Sequence, residues 1–288
     1  MKKQILSSIV SILLVGFPLN SYAQDTYKVA STANIQRDAI IVRIATGEVE
    51  KKLAGTNEWI PVAIGSDLAD NDIIKTGKNS TILLELPENT GFVRLMPETE
   101  LKVDKIKVEK GFEGGQVAEL SISKGKVVTK VRKLNRKSSR LQIKTKGATA
   151  AVRGTAFLTS YTEDKETKVL VGDGQVAVKA QGQEVLVDPG KYTKVDNGNK
   201  PVNPDLVGNN LDFKISNMKM EQGNLRFIGN VDPDAEVRLN KNAVFANSDG
   251  SFNGVMSLNQ GVNNAIIKVS TIDGRMKLNN IKVLKYTE

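Results

Sequence analysis

The sequence predicts an all-β protein, and three observations carry that prediction. Runs of Val, Ile, Thr and Leu recur along the chain, bounded by Gly, Asn, Asp or Pro, as short strands between tight turns require. Some runs alternate polar and apolar residues, as in Glu100-Leu101-Lys102-Val103, which buries one face of a strand. No segment of helical length carries a sustained apolar stripe of period 3.6.

In chain order, Lys2 and Lys3 precede an apolar stretch from Ile5 to Val15, then Gly16 and Pro18, then Ser21-Tyr22-Ala23. That is the layout of a cleavable secretory leader over 1–23, with processing expected after Ala23. The stretch is shorter than the ~20 apolar residues that cross a bilayer. An exported, periplasmic or extracellular protein with at most peripheral membrane contact follows. Residues 24–38 lack periodicity and read as a loose mature N-terminus. From Ala39 the strands begin, at Ile41 and Arg43, Gly47-Glu48-Val49, 81–86, 91–95, 100–103, 168–171 and 175–178. Residues 196–210 read as a linker, because Asn197-Gly198-Asn199-Lys200-Pro201 and Asn203-Pro204 favour turns and the prolines cannot donate to a ladder. A second set of strands fills 211–288. Runs at 225–229 and 236–239 flank the turn cluster Asp232-Pro233-Asp234, Ser248-Asp249-Gly250-Ser251 reads as a hairpin, and 265–269 and 277–284 are split by Asp273-Gly274. The spacing predicts a compact β-sandwich of about seven strands.

Composition closes most catalytic routes. The 288 residues contain neither cysteine nor histidine. Thiol nucleophiles, iron–sulfur clusters and thiolate zinc sites are excluded, as are every histidine-based triad and HExxH metal site. Glycoside hydrolysis needs two converging carboxylates, and no acidic pair stands in such a context. The expectation is a non-enzymatic protein without a cofactor.

Motifs in the first part follow a recognisable order. They are Gly47-Glu48-Val49, Trp59-Ile60-Pro61-Val62 with Gly65, Asp72-Ile73-Ile74-Lys75-Thr76-Gly77, Gly91-Phe92-Val93-Arg94-Leu95 and Thr99-Glu100-Leu101. Ser123-Lys124-Gly125-Lys126-Val127 follows, then Thr145 to Phe157 with Val152-Arg153-Gly154-Thr155 at its centre, Gly174-Gln175-Val176 and Pro189-Gly190-Lys191. With these, residues 39–195 resemble the FecR periplasmic domain family. The resemblance implies a rolled, β-helix-like sheet in which glycine-marked turns start successive rungs. It implies structural roles for Gly47, Trp59, Gly65, Asp72, Thr76, Gly77, Arg153, Gly154, Thr155 and Gly174. Tight turns are expected at Gly47, Gly65, Gly77, Gly125, Gly154, Gly174 and Gly190, and the Ser123–Val127 motif is expected to end a strand. The family's best-known members relay iron-uptake signals through a transmembrane helix to a sigma factor. Here a leader takes the anchor's place, so the resemblance implies the free-standing exported form, which binds or scaffolds. Residues 211–288 resemble bacterial immunoglobulin-like modules through Gly229, Pro233, Val237-Arg238-Leu239-Asn240 and Asp249-Gly250-Ser251-Phe252.

Charge supplies the sharpest binding candidate. The formal net charge is +9, and the ten basic residues between 124 and 146, with no acid among them, exceed that whole excess. Lys124, Lys126, Lys130, Arg132, Lys133, Arg136, Lys137 and Arg140 form the candidate patch for an anionic partner. No aromatic residue is interleaved for base stacking, so nucleic acid is not the expected ligand. An envelope protein or an anionic envelope polymer is. The competing reading is a solvated strand pair whose lysines discourage edge aggregation. Arg153 is expected inside the rolled sheet as a clamp on backbone carbonyls. Asp67, Asp70 and Asp72 read as turn and cap residues, not a calcium loop, and Trp59 as core or a half-buried rim. Two functions are carried forward. One is an envelope binding or scaffolding protein with the second domain as a docking arm. The other is an accessory sensor acting on an outer-membrane receptor or transport system.

Overall fold

The computed structural model describes residues 39–109, 115–134, 136, 138–196, 198–208, 211–240, 242–247 and 249–285, and the expected leader and loose N-terminus lie outside them. The first seventeen strands are β1 (Ile40–Thr46), β2 (Val49–Lys52), β3 (Ile60–Pro61), β4 (Asp67–Leu68), β5 (Ile73–Thr76), β6 (Thr81–Glu85), β7 (Gly91–Leu95), β8 (Glu100–Val108) and β9 (Gln116–Val131), then β10 (Arg140–Lys144), β11 (Thr149–Val152), β12 (Ala156–Tyr161), β13 (Glu166–Asp173), β14 (Val176–Ala180), β15 (Gln183–Val187), β16 (Lys191–Asp196) and β17 (Asp205–Leu206). A 3-10 turn, Pro87–Asn89, links β6 to β7. The all-β expectation holds.

These strands form one 17-stranded sheet, folded over into two layers. One layer runs β4-β1-β6-β7-β9-β12-β13-β16-β17. The other runs β3-β2-β5-β8-β9-β10-β11-β14-β15. The chain passes back and forth between them in short rungs, and only β9 belongs to both. Inward side chains of the two layers meet in one core that includes Leu84, Val93, Leu120, Val127 and Phe157.

β9 is the joint. Residues between 116 and 124 pair with β8 and, over 117–121, with β10, and residues 125–131 pair with β7 and β12. Its buried set changes from even to odd numbers between Ile122 and Val127, as expected where an irregularity shifts the pleat by one residue. The break falls at Gly125, with φ +93°. The sequence expectation of a strand end and turn at Ser123–Val127 is therefore corrected: the strand continues and bends. A β-carbon on Gly125 would lie 2.5 Å from Thr99 Cα. Thr99 holds the bend, its hydroxyl accepting from Lys126 N at 2.9 Å, and Thr76 Oγ1 accepts from Thr99 N at 3.0 Å. The pairing of β9 with β10 is parallel, so the two strands start at the same end of the roll. Arg132, Lys133 and Arg136 of the basic run fall between them.

Gly77 is also corrected. It lacks a positive φ and leaves room for Glu48, whose Oε2 would stand 3.1 Å from an added β-carbon.

The remaining strands are β18 (Phe213–Glu221), β19 (Asn224–Val231), β20 (Ala235–Leu239), β21 (Asn242–Phe245), β22 (Ser251–Ser257), β23 (Gly261–Thr271) and β24 (Met276–Lys285). They make two sheets, β18-β19-β22 and β21-β20-β23-β24, around a second core with Phe227, Phe252, Val237 and Ile267 fully or nearly buried. Phe213 and Phe252 stack with centroids 6.1 Å apart. The residues expected to close a hairpin at 248–251 instead join β21 of one sheet to β22 of the other, and Asp232-Pro233-Asp234 likewise joins β19 to β20. Alternating burial needs both sheets to face the core, so the chain changes sheet at these corners. The corners lie side by side, Val231 N donating to Gly250 O at 2.9 Å. Between the two cores Val202 N donates to Lys194 O and Val207 N to Gly190 O, which lays the proline-containing segment along β16.

Gly125→Ala is expected to cost about 2–4 kcal/mol, because strain at positive φ adds to overlap with Thr99. Gly182→Ala, at φ +75° with nothing within 4 Å of the new carbon, is expected to cost about 1 kcal/mol. Denaturant midpoints compare the two, and equal losses would show that β9 does not pivot on Gly125.

Candidate protein-interaction site

The fold disperses the basic run among different settings. Lys124, exposed, lies opposite Glu100 of β8. Toward the other end of the run, Arg140 pairs with Glu119 at 3.0 Å, and Lys144 with Glu119 at 2.7 Å and Asp104 at 3.7 Å. The hydrogen bonds from Lys144 and then Arg140 hold the Glu119 carboxyl below its ordinary range, and Glu119 in turn raises Lys144. What remains is the end of the roll. Lys130, Arg132, Lys133 and Arg136 have exposed side chains there, beside Phe92, which is paired in register with Lys130 and 41% exposed. Lys137 lies outside the described residues.

The Arg153-Gly154-Thr155 motif and Gly174 shape that end. Gly154 takes φ +139°, and an added β-carbon would meet Lys133 Cα at 2.6 Å. Leu134 N donates to Arg153 O at 2.7 Å and Val131 N to Thr155 O at 2.9 Å. Gly174, at φ +75°, packs under Gly154, whose carbonyl would stand 2.5 Å from a new β-carbon. The Arg153-Gly154-Thr155 segment is thus a backbone seat for the basic loop. Arg153 is corrected: its side chain is exposed, not inside the sheet, because Val152 takes the inward position and the pleat turns the next residue out.

The other motif residues build turns. Asp72 is buried and accepts from Ala54 N at 2.8 Å and Ala69 N at 3.0 Å, and Asp70 accepts from Ile106 N at 2.6 Å. Gly47, at φ +76°, sits against Ser80, whose hydroxyl accepts from Glu48 N at 2.8 Å. Gly65 turns at φ +85° in open space. Trp59 is half-buried, with Lys75 Nζ 4.1 Å and Lys52 Nζ 5.2 Å from its ring centre, a cation–π geometry.

Sequence reasoning missed the second surface. Lys126 of the basic run lies beneath the C-terminal sandwich. Asp234 Oδ2 is 2.5 Å from Lys168 Nζ, Asp234 Oδ1 is 3.9 Å from Lys126 Nζ, and Lys126 Nζ donates to Pro233 O at 2.8 Å. Burial pushes the Lys126 ammonium below its ordinary value, against the opposing pull of Asp234. Around this triad Arg94 lies 4.9 Å from the Phe245 ring, Asn79 N donates to Asn247 Oδ1 at 3.0 Å, and Ile272 O would stand 2.2 Å from a β-carbon on Gly172. Leu158 and Leu170, on the outward side of β12 and β13, are fully buried. Two signals were available: the apolar runs of β12 and β13 lack alternation, as in strands covered on both faces, and a glycine inside β13 allows a close backbone approach.

The structure thus presents a β-roll with one layer covered and a basic end open. A family model described as FecR protein matches residues 72–177, from the start of β5 into β14. Two crystal structures of a candidate anti-sigma factor from Parabacteroides distasonis ATCC 8503, at 1.65 and 2.50 Å resolution, are similar at 20% and 19% identity. Each has a TM-score of 0.38 and covers 46% of this chain and 59% of that chain, so the chain spans about three fifths of the solved protein. No curated protein matches. No helix among the described residues is long and apolar enough to cross a membrane.

Asp234→Ala leaves the desolvated Lys126 ammonium without its carboxylate and removes the partner of the half-buried Lys168, and a loss of about 1–3 kcal/mol is expected, the lysines' partial exposure softening the penalty. Faster proteolysis between the two cores would accompany it, whereas unchanged thermal melting would show that the triad does not hold the face. Glu119→Gln tests the other ion cluster. A carboxyl whose folded pKa is depressed adds stability above its ordinary value of 4.5 and loses it as pH falls through the folded value. The stability gap between wild type and variant is expected to be widest at neutral pH and to close in acid.

Proposed function

We propose that this chain is a non-enzymatic, exported sensor or regulatory protein of the bacterial envelope. Its FecR-like roll over 39–195 binds a protein partner at the basic end, and an immunoglobulin-like sandwich over 211–288, reached through 196–210, is braced on the roll. The observation that carries this reading is the FecR match, which runs through rungs on both sides of the β9 joint, together with the Arg153-Gly154-Thr155 seat beneath the basic loop. Members of that family type act by contact with receptors and sigma factors, and the expected partner here is an outer-membrane receptor or transport component with an acidic surface. Charge serves such a partner by steering encounter and setting orientation. The leader over 1–23 accounts for export. The docked sandwich favours a sensor over a scaffold with a swinging arm, because the face it covers is not left for a second ligand.

The test is cross-linking in envelope extracts with wild type and the Lys130→Glu, Arg132→Glu, Lys133→Glu triple variant. A receptor or transport component captured by wild type and lost from the variant is expected, with capture weakening as salt rises. Salt-sensitive co-sedimentation with lipopolysaccharide or cell-wall polymer, with no protein captured, would overturn it in favour of polymer binding.

A further inference from the structure

The layer that carries the sandwich has a largely apolar row on its outward face. In register from β1 across to β13 it reads Ile44, Leu83, Arg94, Val128, Leu158 and Leu170. The sandwich fully buries Leu158 and Leu170 and reaches Arg94 through Phe245. The row continues beyond that footprint. Ile44 is 44% exposed, and Leu83 beside it is half-buried. Phe92, exposed on the same face of β7, lies two residues from Arg94, the register partner of Leu83.

An irregularity turns Ile44 outward. Ile40 and Val42 point into the core, and the register of β1 against β6 shifts between Val42 and Ile44. Regular alternation from Val42 would send Ile44 inward. Instead Arg43 and Ile44 are both exposed. Arg43 Nε donates to the buried carboxylate of Glu85, which is the register partner of Phe92. That ion pair is closed within the patch. Charge on the border away from the sandwich comes from exposed Lys130, in register with Phe92, and from exposed Arg132, whose amide donates to Thr90 O at 2.9 Å.

We infer that Ile44, Leu83 and Phe92 are the apolar anchor of the partner interface, with Phe92 at its centre. The partner presents an apolar face bordered by carboxylates on the side of Lys130 and Arg132. The anchor presupposes the protein partner proposed for the basic end and gives that partner its chemistry. A buried aromatic residue carries a large share of binding energy, and charges around it steer and orient. A lipid surface fits less well, since docking would press the Arg43–Glu85 pair into acyl chains that offer no hydrogen bonds.

The test places a photoreactive Phe92→p-benzoylphenylalanine substitution in the full chain and irradiates it in envelope extract. It is expected to cross-link the same receptor or transport component that the Lys130, Arg132 and Lys133 reversals lose, identified by mass spectrometry. A Leu186→p-benzoylphenylalanine chain, probing a residue 53% exposed on the other layer, is expected to capture none of it. Phe92→Thr is expected to lower chemical cross-linking about tenfold while its salt dependence stays that of wild type, with an unchanged circular-dichroism melt as the folding control. Full capture by Phe92→Thr while the charge-reversed chain stays negative would overturn the anchor and leave the basic-end reading standing. No protein captured by wild type would overturn both. A cross-link from position 92 to lipopolysaccharide, or to a second copy of the chain, would also overturn the anchor.

Discussion

One strand holds the roll together. β9 pairs with four neighbours in two layers, and it can do so only because Gly125 lets the backbone shift phase without a side chain entering Thr99. Both halves of the core converge on its inward residues, Leu120 and Ile122 on one side of the bend and Val127 and Thr129 on the other. Everything C-terminal to the bend inherits its placement. The parallel pairing of β10 follows from it, and so does the loop that must cross the open end of the roll.

That loop explains why positive charge concentrates where it does. A return segment at the end of a sheet cannot bury its backbone in a ladder, so it stays at the surface and tolerates charged side chains. The residues that flank it are less tolerant. Gly154 and Gly174 stack where any side chain would push the loop away, and Arg140 and Lys144, once back in the sheet, meet Glu119. The same sequence run therefore contains a solvated group, a neutralised group and, in Lys126, a desolvated one. Isolated surface pairs contribute little to stability, whereas a buried charge separated from its partner is costly. The Lys126–Asp234–Lys168 triad is accordingly the part of the run that matters most to folding, and the exposed end is the part available for recognition.

Several features were legible in the residues. The strands at 91–95, 225–229 and 236–239 occupy the expected places, because β-branched runs between turn formers leave the backbone few alternatives. Gly47, Gly65, Gly154, Gly174, Gly190 and Gly250 do take positive φ. The misreadings share a cause. Gly125 resembles a turn glycine locally, and only the pairing of β9 with four strands makes it a bend. Arg153 follows a signature motif, but the pleat and not the motif decides which way it points. The corner at Asp249-Gly250 has the composition of a hairpin, and hairpin and sheet-to-sheet corner use the same residues.

By itself the sequence determined the all-β class, the rung spacing, the exclusion of thiol and imidazole chemistry and the position of the cationic run along the chain. These depend on residue type and on periodicity over a few neighbours. Tertiary structure alone decided which lysines stay in water, which meet a carboxylate and which lie under the sandwich. Lys126 and Asp234 are far apart in the chain, and nothing in the alternation around either names the other. Local periodicity specifies that a strand has two faces. What covers the second face depends on which surfaces the completed fold brings together.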